Sequence, residues 1–211
     1  MRNLYIIGPQ CTGKTTLVNA LEQTYINNTT SHRREPSERP TIIREVARTV
    51  LKEKNFTRED ITTSPLRALA LQKHILEAQY EAEIAVGTGR DSSSWYISDR
   101  SGVDPIAYTY LFVSAEAAQD MLDTEAWSKL ETNMKKGIVV LCEAGCKWLT
   151  DDGTRLMPAD SDGWKEVELA FRHILEIRGI VYSVVLKDLH DLDDRVRFVK
   201  ELLNTNTDFA N

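Results

Sequence analysis

Long apolar runs, a disulfide framework and a basic surplus are all missing from this sequence of 211 residues, and each absence excludes a class of protein. The longest apolar run, Ile138 to Cys142, is far too short to cross a bilayer, and the run Leu4 to Ile7 is too short for a secretory signal. Three cysteines, an odd number, fit a reducing compartment better than a disulfide scaffold. We therefore expect a cytoplasmic protein with no transmembrane segment.

The charge balance and the metal-ligand spacings exclude two further classes. The 26 basic and 32 acidic residues give a net charge of −6, which argues against bulk nucleic acid as a partner because phosphate backbones need a basic surface. Cys142 and Cys146 have the spacing C-x3-C, but no second cysteine pair and no nearby histidine completes a zinc site. Buried or loop thiols are therefore the better interpretation.

One motif that carries chemistry is present near the start of the chain. Residues 8–15, GPQCTGKT, match the phosphate-loop pattern G-x-x-x-x-G-K-[ST]. An apolar strand pattern precedes the loop and an amphipathic helix pattern follows it, which is the context that phosphate binding requires. The residues predicted to bind the nucleotide are Gly8, Pro9, Gln10, Cys11, Thr12, Gly13, Lys14, Thr15 and Thr16.

The residue types of the loop predict how it binds its ligand. Gly8 and Gly13 allow the backbone N–H groups to turn inward around a phosphate. Lys14 is predicted to reach the β and γ oxygens, and Thr15 to offer its hydroxyl to Mg²⁺. The predicted cofactors are therefore ATP or GTP with Mg²⁺. The loop alone does not distinguish a protein that transfers a phosphate from one that only senses it.

Strand-like and helix-like segments alternate along the rest of the chain. Strands are predicted at 4–7, 41–45, 95–98, 137–142 and 180–186, and the main helices at 66–86, 104–113, 115–135, 162–177 and 192–203. This alternation predicts an α/β fold with a parallel sheet and right-handed crossovers. We expect residues 1–211 to form a single domain with a lid at about 147–165.

Ligands of parallel sheets collect at the carboxyl ends of the strands, where several polar side chains are predicted. Asp99 ends a predicted strand and is the preferred Mg²⁺ carboxylate; Glu143, which ends another, is the alternative. Arg100 would lie beside the transferring phosphate. Glu45, at the end of a third predicted strand, is a candidate general base, and Arg48 on the same helical face would steady an anion.

Three further residues are candidates with an ordinary surface role as the alternative. Gln72 and Gln79 share one face of the long helix and would hydrogen-bond a base or a sugar, unless they are surface glutamines. Arg155 lies in the turn-rich segment 147–165, which would either close as a lid over the γ-phosphate or remain a surface loop.

Four segments in this order, GPQCTGKTTL, REVARTV, SDRSGVDPIAYTYL and DDGTR, resemble a known family. They are similar to the AAA-type ATPase domain shared by the nicotinamide riboside kinase portion of the bacterial NAD regulator and the insect TRPL-translocation-defect protein. The resemblance extends from Asn3 to about Val199. The Asp-Arg-Ser after a strand is also similar to the corresponding motif of deoxynucleoside and thymidylate kinases.

The resemblance implies both a fold and a set of roles. It implies a P-loop NTPase of the nucleoside-kinase type: a three-layer sandwich around a five-stranded parallel sheet of spatial order 2-3-1-4-5, with a small arginine-bearing lid. It implies that Asp99 serves the metal, that Glu45 and Asp104 lie on the acceptor side, and that Arg155 is the lid arginine. Many kinases have several lid arginines, whereas this segment has only Arg155.

Two hypotheses follow for the function. The first is a Mg²⁺-dependent phosphotransferase acting on a small nucleoside-like acceptor. Its catalytic residues would be Lys14, Glu45, Asp99, Arg100 and Arg155, and its acceptor would contact Glu45, Arg48, Gln72 and Asp104. The second is a regulatory ATP- or GTP-binding module, a slow NTPase, that binds a protein or phosphoinositide through the basic segment His32 to Arg39. The lack of an Asn-Lys-x-Asp motif counts against a preference for GTP.

Overall fold

The computed structural model describes residues 2–29, 39–87, 95–146 and 161–205. Arg155, most of the predicted lid and most of the basic segment from His32 to Arg39 lie outside the described residues.

Five short strands form one parallel sheet at the centre of the fold. They are β1 (Leu4–Ile7), β2 (Thr41–Ile43), β3 (Tyr96–Asp99), β4 (Ile138–Cys142) and β5 (Tyr182–Val185). Their spatial order is β2-β3-β1-β4-β5, and every neighbouring pair is parallel. The strand order implied by the family resemblance is therefore confirmed.

Helices connect the strands and cover both faces of the sheet. They are α1 (Lys14–Thr29), α2 (Val46–Glu53), α3 (Asp60–Thr63), α4 (Pro65–Gly87), α5 (Val103–Phe112), α6 (Ala115–Leu122), α7 (Glu125–Lys136), α8 (Ser161–Ile177) and α9 (Leu192–Thr205). The prediction of one continuous helix over 115–135 is wrong, because the chain turns at Asp123 and forms two helices, α6 and α7. The Thr124 hydroxyl then caps α7 by accepting from the Trp127 N–H at 3.2 Å.

Alternate residues of each central strand enter two separate hydrophobic cores. In β1, Leu4 and Ile6 pack with side chains of α1 and α9, whereas Tyr5 and Ile7 pack with side chains of α4, α5, α7 and α8. The residues of β4 alternate in the same way. Such burial on both faces is typical of a parallel sheet between helical layers, and the predicted three-layer sandwich is confirmed.

The carboxyl ends of the strands differ from the prediction at one position. Asp99 is the last residue of β3, and Glu143 directly follows β4, as expected. β2, however, ends at Ile43, so the prediction that Glu45 ends a strand is wrong. Glu45 occupies the N-cap position of α2, where the backbone has already left the extended conformation. Its side chain still belongs to the edge of the sheet where the other two acids lie.

Among the described residues, no helix combines enough length with enough apolar character to cross a membrane.

Candidate active site

The phosphate loop joins β1 to α1 with a backbone that only certain residues allow. Gly8 has φ +127°, and a Cβ at this position would lie 2.5 Å from the Cys142 carbonyl oxygen. Gly13 has φ +81°. Both positions therefore need glycine, because both have a positive φ that other residues rarely adopt. At Gly8 the close approach of β4 also leaves no room for a side chain.

The lysine of the motif is buried against the loop that it serves. Lys14 Nζ donates to the Gly8 carbonyl at 2.7 Å and also to the Pro9 carbonyl. Burial lowers the pKa of Lys14 to about 8, and the nearby positive charge of Arg100 acts in the same direction. A smaller pocket, with about 260 Å³ of free space that includes open solvent, opens beside the loop and is lined by Cys11, Gly13, Lys14, Thr15, Thr16 and Arg100.

Two helices from the second half of the chain hold the outer side of the loop. Trp164 Nε1, on α8, donates to the Gln10 carbonyl at 2.8 Å. Arg195 Nη2, on α9, donates to the Thr12 carbonyl at 3.1 Å. Both side chains are buried. The Gln10 and Thr12 carbonyls are thereby held away from the site, and we expect the loop N–H groups to face the opposite side, where an anion would lie.

A hydroxyl and a carboxylate lie together next to the lysine. Thr15 Oγ1 donates to Asp99 Oδ2 at 2.6 Å. The other carboxylate oxygen, Asp99 Oδ1, is buried and has no hydrogen-bond partner among the described residues. In nucleotide sites, Mg²⁺ is bound by one or two protein oxygens together with phosphate oxygens and waters. A carboxylate oxygen without a partner, next to a threonine hydroxyl, fits that requirement.

The alternative Mg²⁺ carboxylate, Glu143, has a different neighbour. Its Oε2 accepts from the Lys187 N–H at 2.7 Å and so ties the segment after β4 to the segment after β5. The described residues contain no cluster of three or more His, Cys, Asp or Glu side chains able to form a metal site by themselves. The geometry therefore favours the Thr15–Asp99 pair over Glu143.

An arginine between two carboxylates lies on the other side of Lys14. Arg100 Nε donates to Glu45 at 2.8 Å, and Arg100 Nη1 donates to Asp104 at 3.1 Å. Arg100 has φ +87°, although its backbone N–H still bonds the Ile6 carbonyl at 3.0 Å. A non-glycine residue in this region costs about 1–3 kcal/mol, and such residues are concentrated at functional sites.

The charges of this cluster are set by burial and by mutual contact. Burial alone would raise the pKa of Glu45, but Arg100, with Arg48 and Lys14, holds it at about 2. Burial raises the pKa of Asp104 above its ordinary value in spite of Arg100. Burial opposes the charged form of Arg100, yet Glu45 and Asp104 hold its pKa well above the usual value. Glu45 and Arg100 are therefore both charged at neutral pH.

A larger pocket begins at this cluster and extends between the helices, with about 600 Å³ of free space that includes open solvent. Its polar lining includes Gln10, Glu45, Arg48, Gln72, Arg100, Asp104 and Tyr108. Its apolar lining includes Ala47, Leu51, Ile61, Leu71, Ile75 and Pro105. An apolar cavity with a few convergent polar groups at one end is the usual form of a small-molecule site.

The two glutamines of α4 have different environments. Gln72 is buried and borders the large cavity. Gln79 Nε2 instead donates to Glu83 at 3.1 Å and to Ser98 at 3.0 Å, away from the cavity. The surface alternative is wrong for both, because both side chains are buried. Only Gln72 is in a position to contact a ligand.

The structure brings most of the predicted site residues together at the carboxyl edge of the sheet. They are the phosphate loop, Glu45, Arg48, Gln72, Asp99, Arg100 and Asp104. Sequence reasoning missed Trp164 and Arg195. Their partners in the loop are 154 and 183 residues away along the chain, and no local pattern marks either contact.

Comparison with known proteins places the chain in a family. A family model described as an AAA domain matches residues 3–195. The chain belongs to the AAA domain family. No curated protein is similar enough in sequence to match it.

Solved structures share the fold of this AAA domain at low sequence identity. The NadR protein in complex with NR has a TM-score of 0.60 and 16% identity; the match covers 88% of this chain and 43% of NadR, so the chain spans less than half of that protein. A deoxyadenosine kinase from M. mycoides with bound dCTP has a TM-score of 0.63 and 14% identity over 96% and 99% of the two chains. A thymidylate kinase from Ehrlichia chaffeensis has a TM-score of 0.60 and 15% identity over 96% and 98%. The predicted family and the P-loop kinase fold are confirmed.

Proposed function

We propose that this protein is a Mg²⁺-dependent phosphotransferase that moves the γ-phosphate of ATP, or of GTP, to a hydroxyl of a small nucleoside-like acceptor. One observation carries the proposal: Arg100 borders both the cavity at the phosphate loop and the larger cavity that contains Glu45. A module that only senses a nucleotide needs the first cavity alone. A transferase needs two adjoining cavities with a cation between them.

The donor side is formed by the loop and the Thr15–Asp99 pair. Loop N–H groups and Lys14 would bind the β and γ phosphates, and Lys14 would exchange the carbonyls of Gly8 and Pro9 for phosphate oxygens. Thr15 and the free oxygen of Asp99 would hold Mg²⁺ directly or through its waters. Mg²⁺ bound there supplies positive charge to the phosphate oxygens during transfer.

On the acceptor side, Glu45 would bind and orient the attacking hydroxyl. A new bond forms between the acceptor oxygen and the γ-phosphorus, while the bond from the γ-phosphorus to the β,γ-bridging oxygen breaks and the nucleoside diphosphate leaves. Because a carboxylate with a pKa of about 2 is a weak base, Glu45 would accept the proton late, when the new bond is largely formed. Arg100 would stabilise the charge on the transferring group.

The rest of the large cavity would hold the acceptor's ring. Apolar side chains from α2 to α5 offer a surface for a flat ring, and the amide of Gln72 would offer N–H donors and a carbonyl acceptor to its edge. Arg48 and Asp104 would contact the acceptor near the reacting hydroxyl. The solved structures of the same fold include NadR with NR and deoxyadenosine kinase with dCTP, which supports a nucleoside-like ligand. Arg155 remains a proposed lid arginine.

The proposal is tested by asking which molecule gains a phosphate. The purified protein is incubated with ATP-Mg²⁺ or GTP-Mg²⁺ and a panel of nucleosides, nicotinamide riboside and nucleoside monophosphates, and the products are analysed by mass spectrometry. We expect one nucleoside to gain a phosphate in the wild type. Lys14→Ala should abolish the product, because it removes the positive charge at the phosphates. It also removes the hydrogen bonds to the Gly8 and Pro9 carbonyls, so cooperative unfolding of the variant is measured beside its activity.

Slow hydrolysis of one nucleotide with no phosphorylated acceptor would contradict the transferase and support the regulatory module. The segment proposed to contact a protein or phosphoinositide, His32 to Arg39, lies largely outside the described residues, and no observation on the described residues favours that alternative.

A further inference from the structure

Gln10 belongs to the phosphate loop by sequence, but its side chain lies on the acceptor side of the site. It is 2% exposed and borders the larger cavity together with Glu45 and Arg100. It is not among the residues that line the cavity at the loop. Gln10 therefore lines the acceptor cavity and not the cavity at the loop, although it belongs to the loop in sequence.

Two buried residues fix the position of Gln10. Its backbone carbonyl accepts from Trp164 Nε1 at 2.8 Å, and its side-chain Oε1 accepts from the Tyr108 hydroxyl at 2.6 Å. The Tyr108 ring packs against Phe112 and Phe171, at centroid separations of 5.8 and 6.5 Å. The amide is therefore held in place before any ligand binds.

The remaining atom of the amide lacks a partner. Gln10 Nε2 is buried and makes no hydrogen bond within the described residues. The neighbouring side chains do not supply an acceptor for it. The Arg100 guanidinium can only donate hydrogen bonds, and the carboxylates of Glu45 and Asp104 already accept from Arg100. Buried donors without acceptors are uncommon in native proteins, and one that borders a cavity points to a ligand atom as its missing partner.

We propose that the Gln10 amide hydrogen-bonds a second hydroxyl of the acceptor, distinct from the hydroxyl that is phosphorylated. A hydroxyl both donates and accepts, so it satisfies either orientation of the amide. A sugar would present such a group close to the reacting end, because Gln10 is part of the loop that holds the transferring phosphate. Gln10 is then a residue that selects acceptors by their sugar hydroxyls. This inference rests on the proposed transferase function.

A cycle that combines removal of the Gln10 amide with removal of one sugar hydroxyl of the acceptor tests the proposal. Gln10→Met removes the amide at nearly constant length, and Gln119→Met, at an exposed position on α6, is the matched control. For the nucleoside that the wild type phosphorylates, and for its 2′-deoxy and 3′-deoxy analogues, kcat/KM is measured with each variant. Gln10→Met should raise the KM of the parent nucleoside about tenfold and change the KM of ATP less than twofold. With one of the two analogues, the wild type and Gln10→Met should have equal kcat/KM.

A second substitution shows whether a folding defect, and not the loss of the amide, explains the result. Gln10→Asn keeps an amide but shortens the side chain by one methylene group, and it should show the same loss of discrimination between parent and analogue. Unchanged discrimination in both Gln10 variants would overturn the inference and leave the transferase intact. A shift confined to the KM of ATP would also overturn it, because the amide would then contact the transferring phosphate. If the wild type phosphorylates no nucleoside, the proposed function fails, and this inference fails with it.

Discussion

At the scale of single residues, the position of Arg100 constrains the chemistry most. Its backbone has a positive φ, its guanidinium contacts two carboxylates, and it lines both cavities. Planar guanidinium groups bind carboxylates and phosphates through parallel hydrogen bonds that an ammonium group cannot reproduce. The shape of this side chain should therefore matter as much as its charge.

Arg100→Lys should reduce kcat about 10²-fold while the affinity for ATP changes only a few-fold. The lysine keeps the positive charge, but one ammonium group cannot contact Glu45, Asp104 and the transferring group together. The measurements are steady-state kinetics with the nucleoside identified above and ATP binding by calorimetry. Arg44→Lys, at an exposed residue paired with Glu22, is the matched control. An unchanged kcat in Arg100→Lys would show that Arg100 only supports the fold.

Glu45→Gln should reduce kcat at least 10²-fold with little effect on nucleotide affinity. The amide keeps the size of the side chain but orients the hydroxyl poorly and cannot take its proton. Pre-steady-state measurement of phosphorylated nucleoside separates this effect from slow product release. Loss of cooperative unfolding in this variant, in place of slow turnover, would make Glu45 a structural partner of Arg100 and remove it from the catalytic residues.

At the scale of elements, the site depends on helices that meet the phosphate loop from far along the chain. The motif, the strand before it and the helix after it could be predicted, because each depends on neighbouring residues. The choice between Asp99 and Glu143 could not, because both acids follow apolar strands and only their partners, Thr15 and the Lys187 N–H, distinguish them. The break between α6 and α7 was missed because the apolar periodicity continues through both helices.

Trp164→Phe should weaken ATP binding several-fold and lower the free energy of unfolding by about 1 kcal/mol. The ring remains packed, but the Gln10 carbonyl loses its outer donor, and the loop is then held less firmly. Trp127→Phe is the matched control, since Trp127 is equally buried and its Nε1 has no hydrogen-bond partner among the described residues. Equal losses of ATP affinity in the two variants would contradict a role for α8 in positioning the loop.

At the scale of the whole molecule, a second buried acid lies near the amino ends of the strands, at the opposite edge from the site. Glu83 of α4 accepts from Tyr5 at 3.0 Å, from Tyr96 at 2.5 Å and from Asn133 at 3.1 Å. These contacts join β1, β3, α4 and α7. Burial raises the pKa of Glu83 in spite of these donors, whereas Arg100 holds the pKa of Glu45 at about 2.

The two acids should therefore affect stability in opposite directions as the pH changes. A raised pKa means that the folded protein holds its proton more tightly than the unfolded chain. The contribution of Glu83 is therefore fully present below the ordinary pKa of about 4.3 and is lost as the pH rises through the raised value. The contribution of Glu45 is present above pH 4.3 and is lost as the pH falls toward 2.

Urea unfolding of the wild type, Glu83→Gln and Glu45→Gln at several pH values between 3 and 8 tests both signs. The stability of the wild type relative to Glu83→Gln should decrease as the pH rises, because only the wild type must ionise a buried carboxyl there. Its stability relative to Glu45→Gln should decrease below pH 4.3, because only the wild type then loses a carboxylate paired with Arg100. Parallel pH profiles for the two variants would contradict the assignment of one acid to the site and the other to the core. If the two stability differences change with pH in opposite directions, the same sheet stabilises a charged carboxylate, Glu45, at its carboxyl edge and disfavours a charged carboxylate, Glu83, near its amino edge.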